Sequence, residues 1–149
     1  MKGQTALEYL ITYGWAILVI LVVLAVLWYY GVFNPAKWSG ESVSEGSALK
    51  VVDKQLTGTT LSLLFGDKTG SQVNISAVNV TGDVAGFASG LTVIIPAGGQ
   101  MTSASPIAVT VAPSAVAGSF YKFTVTTTYQ VTGGLVGQKD VAQYNIKAV

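Results

Sequence analysis

The chain has 149 residues, of which 50% are hydrophobic and only 10% are charged, and its net charge at pH 7 is +1. This length fits one helix plus one domain of about one hundred residues and is short for two full domains. The near-neutral charge and the absence of arginine argue against a nucleic-acid-binding surface. Cysteine and histidine are also absent, which removes the commonest metal ligands, general bases and activated nucleophiles. We therefore expect no metal, no cofactor and no enzymatic activity.

The N-terminal stretch, residues 4–33, is predicted to form one hydrophobic helix. Every side chain from Ala16 to Leu27 is aliphatic, and aromatic and apolar residues continue the run to Phe33. A helix of this length would extend roughly 45 Å, against roughly 30 Å of bilayer hydrocarbon, so it is long enough to span a membrane. Asn34-Pro35 is expected to end it, because proline lacks a backbone donor and disfavours a helical residue before it.

Three interpretations of this helix compete. A secretory signal peptide is disfavoured, because the apolar run is long and no small-residue cleavage site follows it. A single-pass membrane anchor fits, with Lys2 holding the N-terminus in the cytoplasm and the rest of the chain outside. The third interpretation depends on the opening residues.

The segment Lys2-Gly3-Gln4-Thr5-Ala6-Leu7-Glu8-Tyr9-Leu10, followed by an unbroken apolar run, resembles the class III signal sequence of archaeal type IV pilins, specifically adhesion-type pilins. The resemblance implies that a prepilin peptidase removes residues 1–3 as a leader by cutting between Gly3 and Gln4. It also implies that the precursor lies in the cytoplasmic membrane with its N-terminus in the cytoplasm. An assembly ATPase and a membrane platform protein would then build a homo-oligomeric helical filament at the cell surface.

Glu8 is the only acidic or basic side chain between Lys2 and Lys37. A carboxylate in an apolar assembly is costly unless it is paired. The resemblance implies that Glu8 meets the new N-terminal amine of Gln4 during assembly. A second interpretation places Glu8 at the membrane interface, where the helix dipole favours an acidic residue in the first turns.

Residues 34–47 are rich in glycine, serine and charge and are predicted to be a neck linker. Its two glutamates, Glu41 and Glu45, are expected to be solvated. Trp38 is expected to pack against the domain that follows or to lie at an interface.

Residues 48–149 are predicted to form a β-sandwich head domain. Alternating apolar and polar residues with glycine-rich turns indicate about seven strands. The predicted strands are Leu49 to Leu56, Thr59 to Phe65, Gln72 to Thr81, Leu91 to Ile95, Ile107 to Val111, Phe120 to Val131 and Asp140 to Ala148. The predicted fold class is thus α+β: a long N-terminal hydrophobic α-helix followed by an all-β, Ig-like antiparallel sandwich.

Two strands show clearly which face should be buried. In the long strand ending at Val131, the apolar phase is Tyr121, Phe123, Val125, Thr127, Tyr129 and Val131. In the last strand, Ala142, Tyr144, Ile146 and Ala148 are predicted to face inward, and Gln143, Asn145 and Lys147 outward.

The alternation slips between Gln72 and Thr81, which predicts a β-bulge near Ala77. With that bulge, Asn74 and Asn79 both face solvent. Each begins a glycosylation sequon, Asn74-Ile75-Ser76 and Asn79-Val80-Thr81, so both are candidate glycan acceptors.

The sequence therefore favours a structural pilin whose helices form the filament core and whose β-domains are exposed for adhesion. Two alternatives remain open. One is a subunit of the archaeal flagellar filament, which shares the leader and the helix-plus-β plan. The other is a single-pass membrane-anchored extracellular binding module, in which the helix stays in lipid.

Overall fold

The computed structural model describes residues 2–33 and 40–149. The chain divides into two compact units, residues 1–39 and residues 40–149. Within the described ranges, the first unit contains one helix and the second contains eight strands. The predicted α+β class is confirmed. Trp38 and the Asn34-Pro35 pair lie outside the described residues.

Helix α1 covers Lys2–Tyr29 and is 28 residues long. It ends earlier than the proline signal predicted, because Gly31 adopts a left-handed conformation with φ of 67°. The amide of Gly31 donates to the carbonyl of Trp28 at 2.9 Å, and that of Val32 donates to Leu27 at 3.0 Å. This pair of bonds is a Schellman motif, which satisfies carbonyls at the helix end and needs a glycine at this position. The glycine, and not the proline, determines where α1 ends.

The second unit is entirely antiparallel. Its strands are β1 (Ser42–Ser44), β2 (Leu49–Thr57), β3 (Thr60–Asp67), β4 (Val73–Gly82), β5 (Ala85–Ile95), β6 (Ile107–Ala112), β7 (Phe120–Val131) and β8 (Gln138–Lys147). They follow the spatial order β1-β8-β7-β4-β5-β6-β3-β2 in one continuous ladder.

Strand β6 joins the two halves of this ladder. It pairs with β5 at only two positions, Ala85 with Ala112 and Gly86 with Val111, and with β3 at four, from Thr60–Thr110 to Leu63–Ile107. The sheet folds over at this junction, so the inner faces of its two halves enclose one core.

The core consists of alternate apolar side chains from both halves, as the sequence predicted. Phe123, Val125 and Thr127 of β7 are buried, and so are Ala142, Tyr144 and Ile146 of β8 and Ala148, which follows it. The rings of Phe123 and Tyr144, which pair across β7 and β8, stack with centroids 5.4 Å apart.

Asn145 corrects the predicted outward face of the last strand, because it is only 5% exposed. Strand β1 pairs with β8 through Val43 and Tyr144, and the Asn145 side-chain amide donates to the carbonyl of Gly40 at 3.2 Å. The N-terminal end of the domain therefore covers this asparagine.

Most strand boundaries differ from the prediction by one or two residues, and two differences are larger. Residues 42–44, placed in the neck linker, form strand β1 at the sheet edge. Strand β5 begins at Ala85, six residues before the predicted start at Leu91. Its first half was missed because Gly86, Ala88 and Gly90 lack the branched or aromatic side chains that indicate a strand. Gly86 is required there, since a Cβ would overlap the carbonyl oxygen of Thr110 on β6.

Candidate functional site

The surface of α1 is apolar on every side. The eight consecutive residues 17–24 are all aliphatic, and each is between 45% and 63% exposed. Eight residues make more than two helical turns, so this series covers the full circumference of the helix. An amphipathic helix would instead carry its apolar residues along one face only.

Such an apolar surface is unfavourable in water and is stabilised when it is buried. Fully burying one exposed large aliphatic side chain is worth about 1.5–3 kcal/mol, and these eight are about half exposed, so covering them favours burial by roughly 6–12 kcal/mol. The segment Gly3–Tyr29 is long and apolar enough to cross a membrane. Lipid or other apolar helices would satisfy it equally well.

The residues predicted to take part in leader cleavage and assembly lie at the beginning of α1. Gly3, Gln4 and Glu8 are all exposed. Gln4 and Glu8 are four residues apart, so they lie on the same face about 6 Å apart along the axis. An amine on Gln4 would stand at the N-terminal end of the helix, where the first backbone N–H groups have no helical partner.

The two sequon asparagines lie on one face of β4. The register of β4 shifts between Ile75 and Ala77 against both β5 and β7, which confirms the predicted bulge. Asn74 and Asn79 are exposed, while the middle residues of the two sequons, Ile75 and Val80, are buried. The asparagines are five positions apart, so without the bulge they would point to opposite faces.

The hydroxyl residues of the sequons share this face, because they follow the asparagines by two positions. Ser76 and Thr81 are both exposed, and the Ser76 hydroxyl donates to the carbonyl of Thr128 at 3.2 Å. A groove of about 260 Å³ lies beside Asn74 and is lined by Gln72, Asn74, Ile94, Gln130, Thr132 and Gly133. We call the outward surface of β5, β4 and β7 the acceptor face. Glycan occupancy stays a prediction.

A second groove, of about 350 Å³, lies where β1, β8, β7 and the end of β4 meet. Hydroxyl and amide groups dominate its lining, with Lys122 as the cation among the lining residues: Ser42, Ser44, Thr81, Gly82, Lys122, Phe123, Thr124, Gln143, Tyr144 and Asn145. This composition offers hydrogen-bond donors and acceptors.

A buried carboxylate holds the N-terminal segment of the domain by hydrogen bonds. The sequence did not predict this contact. Asp140 is 6% exposed and accepts hydrogen bonds from three successive backbone amides, those of Ser47 at 2.8 Å, Ala48 at 3.2 Å and Leu49 at 3.1 Å. A Cβ on Gly46 would overlap the Asp140 carboxylate, so only glycine permits this approach. We call this arrangement the Asp140 clamp. A single aspartate distant in sequence gives no motif that would have indicated it.

Glu45 corrects another expectation, since it is not simply solvated. Its carboxylate forms an ion pair with Lys68 at 2.7 Å and accepts the amide of Val51 at 2.9 Å. The hydrogen bond from Lys68 and then the one from Val51 hold the pKa of Glu45 below its usual value. Nearby, burial raises the pKa of the Tyr144 hydroxyl, and the negative charges of Glu45 and Asp140 add to that rise.

Asp67, at the end of β3, organises the turn that follows. Partial burial raises its pKa, but hydrogen bonds more than offset this effect, so the pKa lies below its usual value. The donors are the hydroxyl of Thr69 at 2.6 Å and the amides of Gly98 at 2.8 Å, Thr69 at 2.7 Å and Gly70 at 3.0 Å. The carboxylate of Asp67 thus accepts four hydrogen bonds from neighbouring loop residues.

Within residues 2–33 and 40–149, no three acidic side chains come together in a way that would hold a metal ion. No protein-family model and no curated protein matches the chain.

Proposed function

We propose that this chain is the structural subunit of an extracellular filament of the type IV pilus class. The observation that carries the proposal is the helix α1, which is apolar around its full circumference at residues 17–24 and has Glu8 as its single charged residue after Lys2. The leader-like residues before it, Lys2-Gly3-Gln4, support removal of the first three residues.

The physics of such a helix suits two successive environments. A uniformly apolar surface is soluble in the bilayer and equally soluble in a bundle of identical helices. Moving from one to the other therefore costs little hydrophobic free energy. Glu8 would be the exception, because its carboxylate needs a partner once lipid headgroups and water are gone. The N-terminal amine of Gln4 on a neighbouring copy supplies that partner.

In this proposal the β-domains coat the filament and serve adhesion, and Asn74 and Asn79 carry glycans. Their side chains are exposed on one face, and the half-buried Thr126 of β7 lies beside Asn79. The chain acts as a building block and surface, not as an enzyme.

The test is the behaviour of the protein sheared mechanically from its native cells. A filament subunit sediments at high speed without detergent and appears as fibres by electron microscopy. A membrane-tethered module, the alternative from a different class, stays with the membrane fraction and is released only by detergent. Recovery solely in that detergent fraction would overturn the proposal.

A further inference from the structure

The acceptor face carries two large apolar side chains that its polar character does not explain. Both lie on β5: Phe87 is 65% exposed and Ile94 is 59% exposed. The other exposed residues of this strand are small or polar, namely Ala85, Ser89, Gly90 and Thr92. An exposed phenylalanine on such a surface leaves a large apolar area in water.

The strand register places each of these residues directly opposite a sequon asparagine. Phe87 pairs with Asn79, and Ile94 pairs with Asn74. Directly opposite residues on one face of an antiparallel pair have Cβ atoms about 4.5–5.5 Å apart. On their other side the asparagines face polar residues of β7, Thr126 for Asn79 and Gln130 for Asn74.

The two apolar positions are separate spots and not one patch. Asn74 and Asn79 are five residues apart on β4, so their partners on β5 lie roughly 15 Å apart along the sheet. The core of a protein interface is a contiguous apolar area. Two separate apolar side chains, each beside a sequon, are better explained by two small ligands than by one docked protein.

We propose that the first sugars of glycans on Asn79 and Asn74 lie across strand β5 and cover Phe87 and Ile94, respectively. A sugar linked to the asparagine amide begins within a few ångströms of the opposite side chain. The C–H face of a pyranose ring is apolar and packs on an aromatic or aliphatic side chain, while its hydroxyl groups remain in water. The inference rests on the proposed glycan attachment and adds to it the surface on which the sugar lies.

Hydroxyl-radical footprinting with mass spectrometry tests this arrangement on the full chain from its native cells, solubilised in detergent so that no neighbouring copy covers the sheet. The same spectra report glycan occupancy at each asparagine. Two variants, Asn79→Gln and Asn74→Gln, are compared with the unchanged chain. Leu135 is 78% exposed in the β7–β8 connection and serves as the internal reference. Buried Phe123 reports whether each variant is folded.

The expected result is reciprocal. Asn79→Gln raises oxidation of Phe87 severalfold and leaves Ile94 unchanged, while Asn74→Gln raises oxidation of Ile94 and leaves Phe87 unchanged. Thr81→Ala, which destroys the second sequon but keeps Asn79, must reproduce the effect of Asn79→Gln.

Two results would overturn the inference, and they differ in what else they overturn. If the asparagines carry glycans but Phe87 is oxidised equally in the unchanged chain and in Asn79→Gln, the proposal that the sugar covers Phe87 is refuted and glycan attachment stands. Two unmodified asparagines in native protein would refute glycan attachment as well, while the filament proposal would stand.

Discussion

The Asp140 clamp gives the most quantitative prediction, through the substitution Asp140→Asn. Asparagine has nearly the same shape but keeps one acceptor oxygen and replaces the other with an NH₂ group. That group would face a backbone amide, since both carboxylate oxygens now accept such donors: Oδ1 from Ser47 and Ala48, and Oδ2 from Leu49.

The magnitude follows from the bonds lost. A hydrogen bond to a charged group contributes about 1.5–3 kcal/mol, and a buried donor left unpaired adds to the loss. Losing one bond and weakening the others should lower the free energy of unfolding by roughly 2–4 kcal/mol. For a domain of 110 residues, from Gly40 to Val149, this corresponds to a decrease in Tm of about 8–16 °C.

Asp83→Asn is the matched control. Asp83 is exposed and its carboxylate accepts one backbone amide, that of Lys122 at 2.8 Å, so the expected loss is below about 1 kcal/mol. Differential scanning calorimetry of the full chain in detergent at neutral pH measures both variants. Amide hydrogen exchange should accelerate at Ser47 to Leu49 only in Asp140→Asn. Equal Tm decreases in the two variants would refute the reasoning.

Three further predictions concern Gly86, Asp67 and Glu8. Gly86→Ala should lower the free energy of unfolding by about 1–3 kcal/mol, because the new Cβ would overlap a backbone carbonyl of β6. Ser89 is exposed on the same strand, so Ser89→Ala should have almost no effect. Calorimetry measures both variants. Because the pKa of Asp67 is lowered in the folded state, the folded state binds fewer protons than the unfolded state. Ionised Asp67 therefore stabilises the fold above about pH 4, and this stabilisation is lost as the pH falls through the lowered pKa. The Tm of the unchanged chain should therefore decrease more than that of Asp67→Asn between about pH 4 and pH 2, and parallel curves would contradict this. Glu8→Gln should leave membrane insertion intact and reduce the yield of sheared filaments. The control Thr12→Val, one turn further along the same face, should preserve that yield. A normal filament yield from Glu8→Gln would refute the proposed pairing of Glu8 with the amine of Gln4.

Local patterns in the sequence predicted most of the fold. The apolar run specifies α1, and strict alternation specifies the buried faces of strands such as β7. The broken alternation in β4 predicted the bulge, because only an extra residue keeps both Val73 and Val80 in the core. These signals are local, since each depends on the period of a single element.

The features that were missed depend on contacts between distant segments. The burial of Asn145 requires Gly40, which is 105 residues earlier in the chain. The Asp140 clamp joins residues 91–93 positions apart. The position of the helix end also escaped prediction, because Gly31 and Asn34-Pro35 are both stop signals and the sequence does not say which acts first.

The mass of the N-terminal peptide, measured on protein sheared from the cell surface, tests the central claim most directly. We expect a peptide that begins at Gln4, which requires removal of residues 1–3 and delivery of the mature chain to a surface filament. A peptide that retains Lys2 and Gly3, found only in the membrane fraction, would contradict the account and leave a membrane-tethered β-domain.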